Sequence, residues 1–155
     1  MEGHGTFEWA TGDSYTGYFK NGYLNGVGKL KYKNGALYEG AWVSEVLQGR
    51  VKNLFANGNK YEGDWYNDTE NGYGTFIWAN GDSYVGNFKD GRRDGEGTCI
   101  CVSRDLNFCK GCRKYTGFWK KDLKDGNGKC YDANNNLIYE GFFNNDRPVT
   151  TYPNR

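Results

Sequence analysis

Apolar and polar residues alternate along short segments of this chain. In the first segment Gly5, Phe7 and Trp9 have one parity, whereas Thr6 and Glu8 have the other. Because successive side chains of a β-strand point to opposite faces, this pattern predicts a strand with one aromatic and one polar face. A later pair of segments repeats the pattern, and its aromatic face carries Gly74, Phe76, Trp78, Tyr84, Gly86 and Phe88. We therefore predict a sheet whose aromatic side chains and glycines lie on the same side.

Short turn sequences separate the segments. Asn-Gly pairs lie at 34–35, 57–58 and 80–81, each between two alternating segments. Asn and Gly tolerate the positive φ angles of a type I′ turn, so each pair predicts a β-hairpin. An isolated hairpin is only marginally stable in water, and the hairpins are therefore expected to pair edge to edge.

The hairpins belong to an internal repeat. The pattern Tyr-x-Gly-x-aromatic occurs six times, starting at Tyr15, Tyr38, Tyr61, Tyr84, Tyr115 and Tyr139. The first four tyrosines are 23 residues apart, and the next steps are 31 and 24 residues. Gly-x-Gly precedes most of them, but Val51 replaces the second glycine of the third unit. The repeat predicts an all-β fold over 1–147, an elongated, twisted, single antiparallel sheet of about six tandem hairpins, followed by a C-terminal tail, 148–155.

These tyrosine and glycine columns resemble the MORN (membrane occupation and recognition nexus) repeat over about residues 3–146. The resemblance implies a non-catalytic scaffold that binds an extended or helical segment of a protein partner, and some similar proteins dimerise end to end. Phosphoinositide binding has also been suggested for such proteins. Because the repeats use up the chain, no fused enzyme domain is expected.

The composition favours thin layers held together by large flat side chains. Hydrophobic residues make up 37% of the chain and aromatic residues 17%, and there are 24 glycines. The net charge of +1 gives no reason to expect a nucleic-acid partner. The sequence has neither an apolar run of membrane-spanning length nor a signal-peptide pattern. We therefore expect a cytoplasmic protein, with association to the cytoskeleton or a membrane as an alternative.

The aromatic face is expected to form a concave groove that holds a peptide or helix of a protein partner. A single-layer sheet has no second layer to cover that face, and exposed aromatic surface of this size usually marks a binding site. The predicted groove residues are Phe7, Trp9, Tyr15, Phe19, Tyr32, Tyr38, Trp42, Phe55, Tyr61, Trp65, Phe76, Trp78, Tyr84 and Phe88.

The fifth repeat contains a cysteine-rich insertion at about 99–114. Its Gly-x-Gly and its motif tyrosine are 20 residues apart instead of 12. The segment 109–112, Cys-Lys-Gly-Cys, resembles a zinc knuckle, and Cys99 and Cys101 share a face of the predicted strand. We therefore predict a structural zinc ion held by Cys99, Cys101, Cys109 and Cys112.

Two alternatives to zinc remain open, namely unligated thiols and a disulfide or redox pair. Five cysteines in a chain without a secretory signal favour thiols or metal over disulfides. Cys130 occupies the column of Cys99 one repeat later, where an apolar residue is expected. With one strand between them these two cysteines would lie about 9–10 Å apart, which is too far for a mutual disulfide.

Catalytic chemistry is not indicated by the sequence. The only histidine, His4, lies in the middle of the first Gly-x-Gly, where other repeats have Val27, Tyr73, Glu96 and Asn127. A position that accepts such different residues is not an active-site position, so no Ser-His-Asp or Cys-His arrangement is expected. We predict that the protein is not an enzyme.

Residues 104–124 carry an excess of positive charge. The predicted contacts to an anionic surface are Arg104, Lys110, Arg113, Lys114, Lys120 and Lys121. Such a segment can bind anionic lipid, which makes a membrane-peripheral adaptor the alternative function. A solubilising patch is the simpler interpretation, because charge runs usually belong to solvated surface.

The two ends of the array differ. Pro148 cannot donate to a sheet ladder and is predicted to end the array. No cap precedes Gly3, and an uncovered strand edge can pair with another molecule. A homodimer formed through the first repeat is therefore predicted.

Overall fold

The computed structural model describes residues 2–104 and 106–149 of the chain. They belong to two compact units, residues 1–79 and 80–155. The described residues form β-strands and one short 3₁₀ helix, and they contain no α-helix. None of them forms a helix with the length and apolarity needed to cross a membrane.

The first unit has seven strands, and each pairs antiparallel with the next along the chain. The strands are β1 (Gly3–Glu8), β2 (Ser14–Lys20), β3 (Tyr23–Lys31), β4 (Leu37–Val43), β5 (Val46–Leu54), β6 (Lys60–Tyr66) and β7 (Thr69–Ile77). Among the described strands β1 pairs with β2 alone. The homodimer through this edge stays a prediction.

The second unit has six strands in the same antiparallel order. The strands are β8 (Ser83–Lys89), β9 (Arg92–Ile100), β10 (Lys114–Lys120), β11 (Leu123–Tyr131), β12 (Leu137–Asn144) and β13 (Arg147–Pro148). The insertion between β9 and β10 carries the 3₁₀ helix, Asn107–Cys109. The predicted all-β fold of tandem antiparallel hairpins is confirmed.

Two kinds of turn connect the strands. Asn21 and Gly22, between β2 and β3, both have positive φ angles, 51° and 81°, as a type I′ turn requires. The predicted type I′ turn at Asn34-Gly35 is wrong, because only Gly35 has a positive φ there. The Asn34 side chain instead accepts a hydrogen bond from the Ala36 N–H at 2.9 Å, which closes a longer connection.

The motif tyrosines pack flat over glycines of the neighbouring strand. Tyr15 is fully buried, and its hydroxyl donates to the Tyr18 carbonyl at 3.1 Å. A Cβ atom added to Gly28 would lie 2.1 Å from the Tyr15 hydroxyl oxygen, so only glycine fits there. This contact explains why Tyr-x-Gly and Gly-x-Gly recur together in the sequence.

The last described strand ends at Pro148. Pro148 is the second residue of β13 and lies opposite Phe143. An edge strand tolerates proline because its outward N–H has no ladder partner. Residues 150–155, most of the predicted tail, lie outside the described residues.

Candidate binding face

The face of each unit that carries the motif tyrosines is called the ring face here. In the first unit it contains an open groove of about 690 Å³. Aromatic and aliphatic side chains form most of its lining, and polar side chains from the turns complete it. The lining residues are Trp9, Thr11, Asp13, Leu24, Leu30, Tyr32, Tyr38, Trp42, Glu45, Val46, Leu47, Asn67 and Asp68. None of them is a lysine or an arginine.

The fourteen predicted groove residues divide into two classes. Half of them are buried and hold the sheet together, namely Tyr15, Phe19, Trp42, Tyr61, Trp65, Tyr84 and Phe88. The other half are accessible to a partner, namely Phe7, Trp9, Tyr32, Tyr38, Phe55, Phe76 and Trp78. Trp9, Tyr32, Tyr38 and Trp42 line the open groove. Only part of the predicted set is thus available for binding.

The third repeat changes the position of a motif tyrosine. Val51 lies opposite Gly40, where the other repeats of the first unit provide a glycine for the tyrosine ring. The Val51 side chain is buried and fills that space. Tyr38 is only half-buried, and its ring centroid lies 5.4 Å from that of Tyr32 and 6.1 Å from that of Trp65. We infer that Val51 lifts Tyr38 into the groove.

One buried column of the ring face changes character along the chain, and we call it the variable column. Each member is the second residue of its strand and lies nine residues after a motif tyrosine. The members are Leu24, Leu47, Glu70, Arg93 and Lys124. The column therefore carries two aliphatic residues and an acid in the first unit, and two cations in the second.

Two buried polar side chains of the first unit have unusual surroundings. Glu70 is 8% exposed and lies opposite Trp65, and burial raises the pKa of its carboxyl group above the ordinary value. Asn53 is 3% exposed, lies between Tyr38 and Tyr61 in the sheet, and has no hydrogen-bond partner for either amide atom among the described residues.

The indole of Trp65 is also without a partner. Trp42 donates its Nε1–H to the Gly28 carbonyl at 3.1 Å, and Trp119 donates to the Gly97 carbonyl at 3.4 Å. Trp65 occupies the same position next to Val51, but its Nε1 has no hydrogen-bond partner among the described residues. The Asn53 amide on β5 and the Trp65 indole N–H on β6 are therefore unsatisfied, which is uncommon in a folded protein.

The cations of the second unit contact the insertion between β9 and β10. Arg93 donates to the Phe108 carbonyl at 2.6 Å and pairs with Asp122, and its guanidinium lies 4.1 Å from the Trp119 ring centroid. Lys124 donates to the Lys110 carbonyl at 2.9 Å. Burial lowers the pKa of Lys124 to about 8. Both buried cations thus bind carbonyl oxygens of the chain's own loop.

Two disulfides hold the same loop over the ring face. Cys99 and Cys130 flank Tyr115 on the neighbouring strands. The structure bonds Cys99 to Cys109 and Cys112 to Cys130, with Cα–Cα distances of 5.7 and 5.4 Å. The loop therefore crosses above Tyr115, which is fully buried.

These bonds correct the cysteine expectation. The preference for thiols or metal over disulfides is wrong in this structure, because the insertion brings a second cysteine to each of Cys99 and Cys130. Cys101, a predicted zinc ligand, is a buried thiol outside both disulfides. Within residues 2–104 and 106–149 no group of three or more His, Cys, Asp or Glu side chains could hold a metal ion. Whether the protein holds structural zinc stays a prediction, which metal analysis of the purified protein can test.

Five segments of the chain match the MORN repeat family. They are residues 1–14, 15–37, 61–83, 84–105 and 115–137, which together make up more than half of the chain. The chain belongs to the MORN repeat family. MORN repeats are in general modules for interaction with proteins or membranes and typically have no enzymatic activity. No curated protein matches this chain.

Two of the unmatched parts of this MORN protein contain its unusual sites. Residues 38–60 contain Val51 and Asn53, and residues 106–114 form most of the loop. MORN proteins are often associated with membranes. The cytoplasmic location of this one, with cytoskeletal or membrane association as the alternative, stays a prediction.

The base of the loop is held by polar contacts. Burial alone would raise the pKa of Asp82, but hydrogen bonds from the Val102 and Ser103 N–H groups and from the Asn80 and Ser103 side chains hold it below its ordinary value. Arg113 donates to the Cys101 and Ser103 carbonyls at 3.0 and 2.9 Å. The insertion is therefore fixed at its base as well as over the MORN ring face.

The predicted basic contacts do not form one uniform surface. Lys110 pairs with Asp146 at 3.6 Å, and Arg113 is bonded to loop carbonyls. Lys114 lies over the Tyr131 ring at 5.0 Å. Arg104, Lys120 and Lys121 are exposed. Half of the set thus has contacts within the MORN domain, and half remains open to an anionic partner.

Sequence reasoning missed the variable column. Its signal is a fixed distance of nine residues after each of the first five MORN tyrosines, but the column contains leucine, glutamate, arginine and lysine and so has no residue type in common. His4 is exposed, and its ring lies 5.1 Å from that of Tyr18. That contact suggests packing on the polar face of β1 and β2.

Proposed function

We propose that this MORN protein is an interaction scaffold whose first unit binds an amphipathic peptide or helix of a protein partner on its ring face. The supporting observation is the open groove of about 690 Å³ next to half-buried Trp9, Tyr32 and Tyr38. An amphipathic helix places its apolar side in a hydrophobic groove and its polar side at the rim. The lining has this division, with Leu24 and Leu47 inside and turn residues at the edge.

The second unit supports a polypeptide segment as the ligand of the groove. There the ring face is covered by a segment of the chain itself, which contributes the Phe108 ring and backbone carbonyls to Arg93 and Lys124. A ring face of this construction therefore accepts a polypeptide segment. The first unit has the same tyrosine and glycine framework without such a loop.

The proposal is tested with an uncharged amphipathic peptide of about 18 residues, five helical turns, made of Leu and Gln. Calorimetry should show saturable binding to the intact protein. Tyr32→Ala removes a groove side chain and should weaken binding about tenfold, the loss expected for an aromatic anchor. Tyr18→Ala is the matched control, because Tyr18 is 50% exposed on the opposite face of β2.

Unchanged affinity of Tyr32→Ala, or an equal loss in both variants, would contradict the assignment of the groove. The unfolding midpoint of each variant establishes that it is folded. Absence of binding to any amphipathic peptide would remove the proposal.

The alternative, binding of anionic lipid through 104–124, has less support because Lys110 and Arg113 have partners within the chain. Co-sedimentation with phosphatidylserine vesicles distinguishes the two functions. Retention on vesicles that is lost on changing Lys120 and Lys121 to Gln would favour the lipid function over the peptide groove.

A further inference from the structure

We propose that the ring face around Glu70 is a subsite for a lysine or arginine side chain of the bound segment. The proposal rests on the proposed function and names the chemistry of the partner. It is carried by a buried carboxylate, by two aromatic rings near it and by the charge at the rim of the groove.

The buried carboxylate is the first observation. Glu70 is buried where the corresponding residues of the first unit are leucines. Its carboxylate accepts a hydrogen bond from the Thr69 hydroxyl at 3.2 Å. No described lysine or arginine forms an ion pair with Glu70. A buried carboxylate without a cation is unfavourable, so a cation arriving with a partner would stabilise it.

Two aromatic rings near Glu70 are the second observation. Trp65 lies on β6 directly opposite Glu70, and its ring centroid lies 6.1 Å from that of the accessible Tyr38. The Trp65 Nε1–H is buried and has no hydrogen-bond partner among the described residues. The faces of the Tyr38 and Trp65 rings attract a cation.

Charge at the rim is the third observation. Asp13, Glu45 and Asp68 line the groove, and its lining has no lysine or arginine. Burial first, and then the charges of Tyr32, Asp68 and Glu70, raise the pKa of Tyr38, which indicates that these acids act on the same ring. The rim and the buried acid therefore favour a segment of positive charge.

The second unit shows the complementary arrangement. Its variable column provides the cations, and the covering loop provides the acceptors, as in the bond from Lys124 to the Lys110 carbonyl. Buried cations there lie against rings, with Lys124 Nζ 4.6 Å from the Phe143 ring centroid. In the first unit the column provides the acceptor, so the occupant must provide the cation.

The experiment compares three peptides with one apolar pattern and Lys, Gln or Glu on the polar side, by calorimetry with the full chain. The Leu/Lys peptide should bind at least about tenfold more tightly than the Leu/Glu peptide. Glu70→Gln should weaken Leu/Lys binding about five- to tenfold and leave Leu/Gln binding unchanged. Glu62→Gln, an exposed residue on the opposite face of β6, should change neither.

High salt distinguishes the contribution of the buried Glu70 carboxylate to binding from that of the rim charges. At about 0.5 M salt the rim charges are screened, whereas the effect of Glu70→Gln should persist because the carboxylate is buried.

The outcomes distinguish the two proposals. Equal affinity for the Lys and Glu peptides, or a Glu70→Gln variant that binds Leu/Lys as the parent does, overturns the cation subsite and leaves the groove intact. Failure of all three peptides overturns the groove itself. Glu70→Gln is expected to fold, because amide and carboxyl have the same shape and burial disfavours the carboxylate.

Discussion

The two units use the same tyrosine and glycine framework, but one leaves its ring face open and the other covers it. In the first unit Val51 is buried where the other repeats have a glycine, and Tyr38 lines a groove bordered by acids. In the second unit Arg93 and Lys124 hold a loop that two disulfides fasten to the sheet. A few residues at variable positions therefore decide whether a repeat presents a surface or closes it.

The largest expected effect comes from removing a disulfide that holds the loop over the ring face of the second unit. The double variant Cys112→Ser, Cys130→Ser removes a disulfide and should lower the free energy of unfolding by about 3 kcal/mol. Thermal unfolding with and without a reducing agent measures this, and reductant should lower the midpoint of the parent more than that of the variant. Cys101→Ser is the control and should respond to reductant as the parent does.

Thiol titration of the denatured protein tests whether the two disulfides are present. Without reductant one thiol should react, and after reduction five, in agreement with the two disulfides and Cys101. Five reactive thiols without reductant, together with bound zinc, would contradict the disulfide cover and support the zinc prediction.

The next largest effect is expected from Val51→Gly, which should move the Tyr38 ring out of the groove of the first unit. Val51→Gly should let the Tyr38 ring pack down over residue 51, as Tyr15 packs over Gly28. The groove then loses an aromatic wall, and affinity for the uncharged Leu/Gln peptide should fall about tenfold by calorimetry. Val27→Gly is the matched control, because Val27 is 65% exposed on the polar face. Unchanged affinity in Val51→Gly would show that Tyr38 does not depend on Val51.

The smallest effect is a pH dependence of the covered unit. The pKa of Lys124 is lowered to about 8 in the folded protein, against about 10.4 in an unfolded chain. Between these values the unfolded chain binds a proton that the folded protein does not, so stability should rise with pH above about 8.

Chemical denaturation at several pH values measures this rise. Relative to Lys124→Met, the parent should gain at most about 1 kcal/mol between pH 8 and pH 9. The comparison cancels the titration of other groups, and below about pH 7 the difference should be constant. A flat difference across the whole range would show that the Lys124 amine titrates normally.

The fold was predictable because its determinants are local and periodic. Parity placed Tyr15 and Phe19 on one face, and the recurrence of Tyr-x-Gly set the number of hairpins. Turn type was less predictable, since Asn34-Gly35 forms a longer connection while Ser44 and Glu45 adopt the two positive φ angles of a tight turn. Pairing across the sheet imposes that conformation on residues without a strong preference for it.

The candidate site was predictable only in part, because burial depends on contacts between repeats. Parity alone does not separate Trp65, which is buried, from Tyr38, which is accessible. The cysteine pairing also required three dimensions, since the insertion must fold back before Cys112 can reach Cys130. The departure at Val51 was visible in the sequence, but its effect on a tyrosine in the preceding repeat was not.

The tyrosine that lies over a glycine has a consequence for protein design. Tyr15 and Gly28 fix the backbone through a contact that leaves no space for a side chain at the glycine. The buried position nine residues after each of the first five motif tyrosines accepts residues as different as Leu24, Glu70 and Lys124. If Glu70 binds a cation as proposed, 23-residue modules with chosen residues at this position can be joined in a new order to set the preferred charge of a ligand.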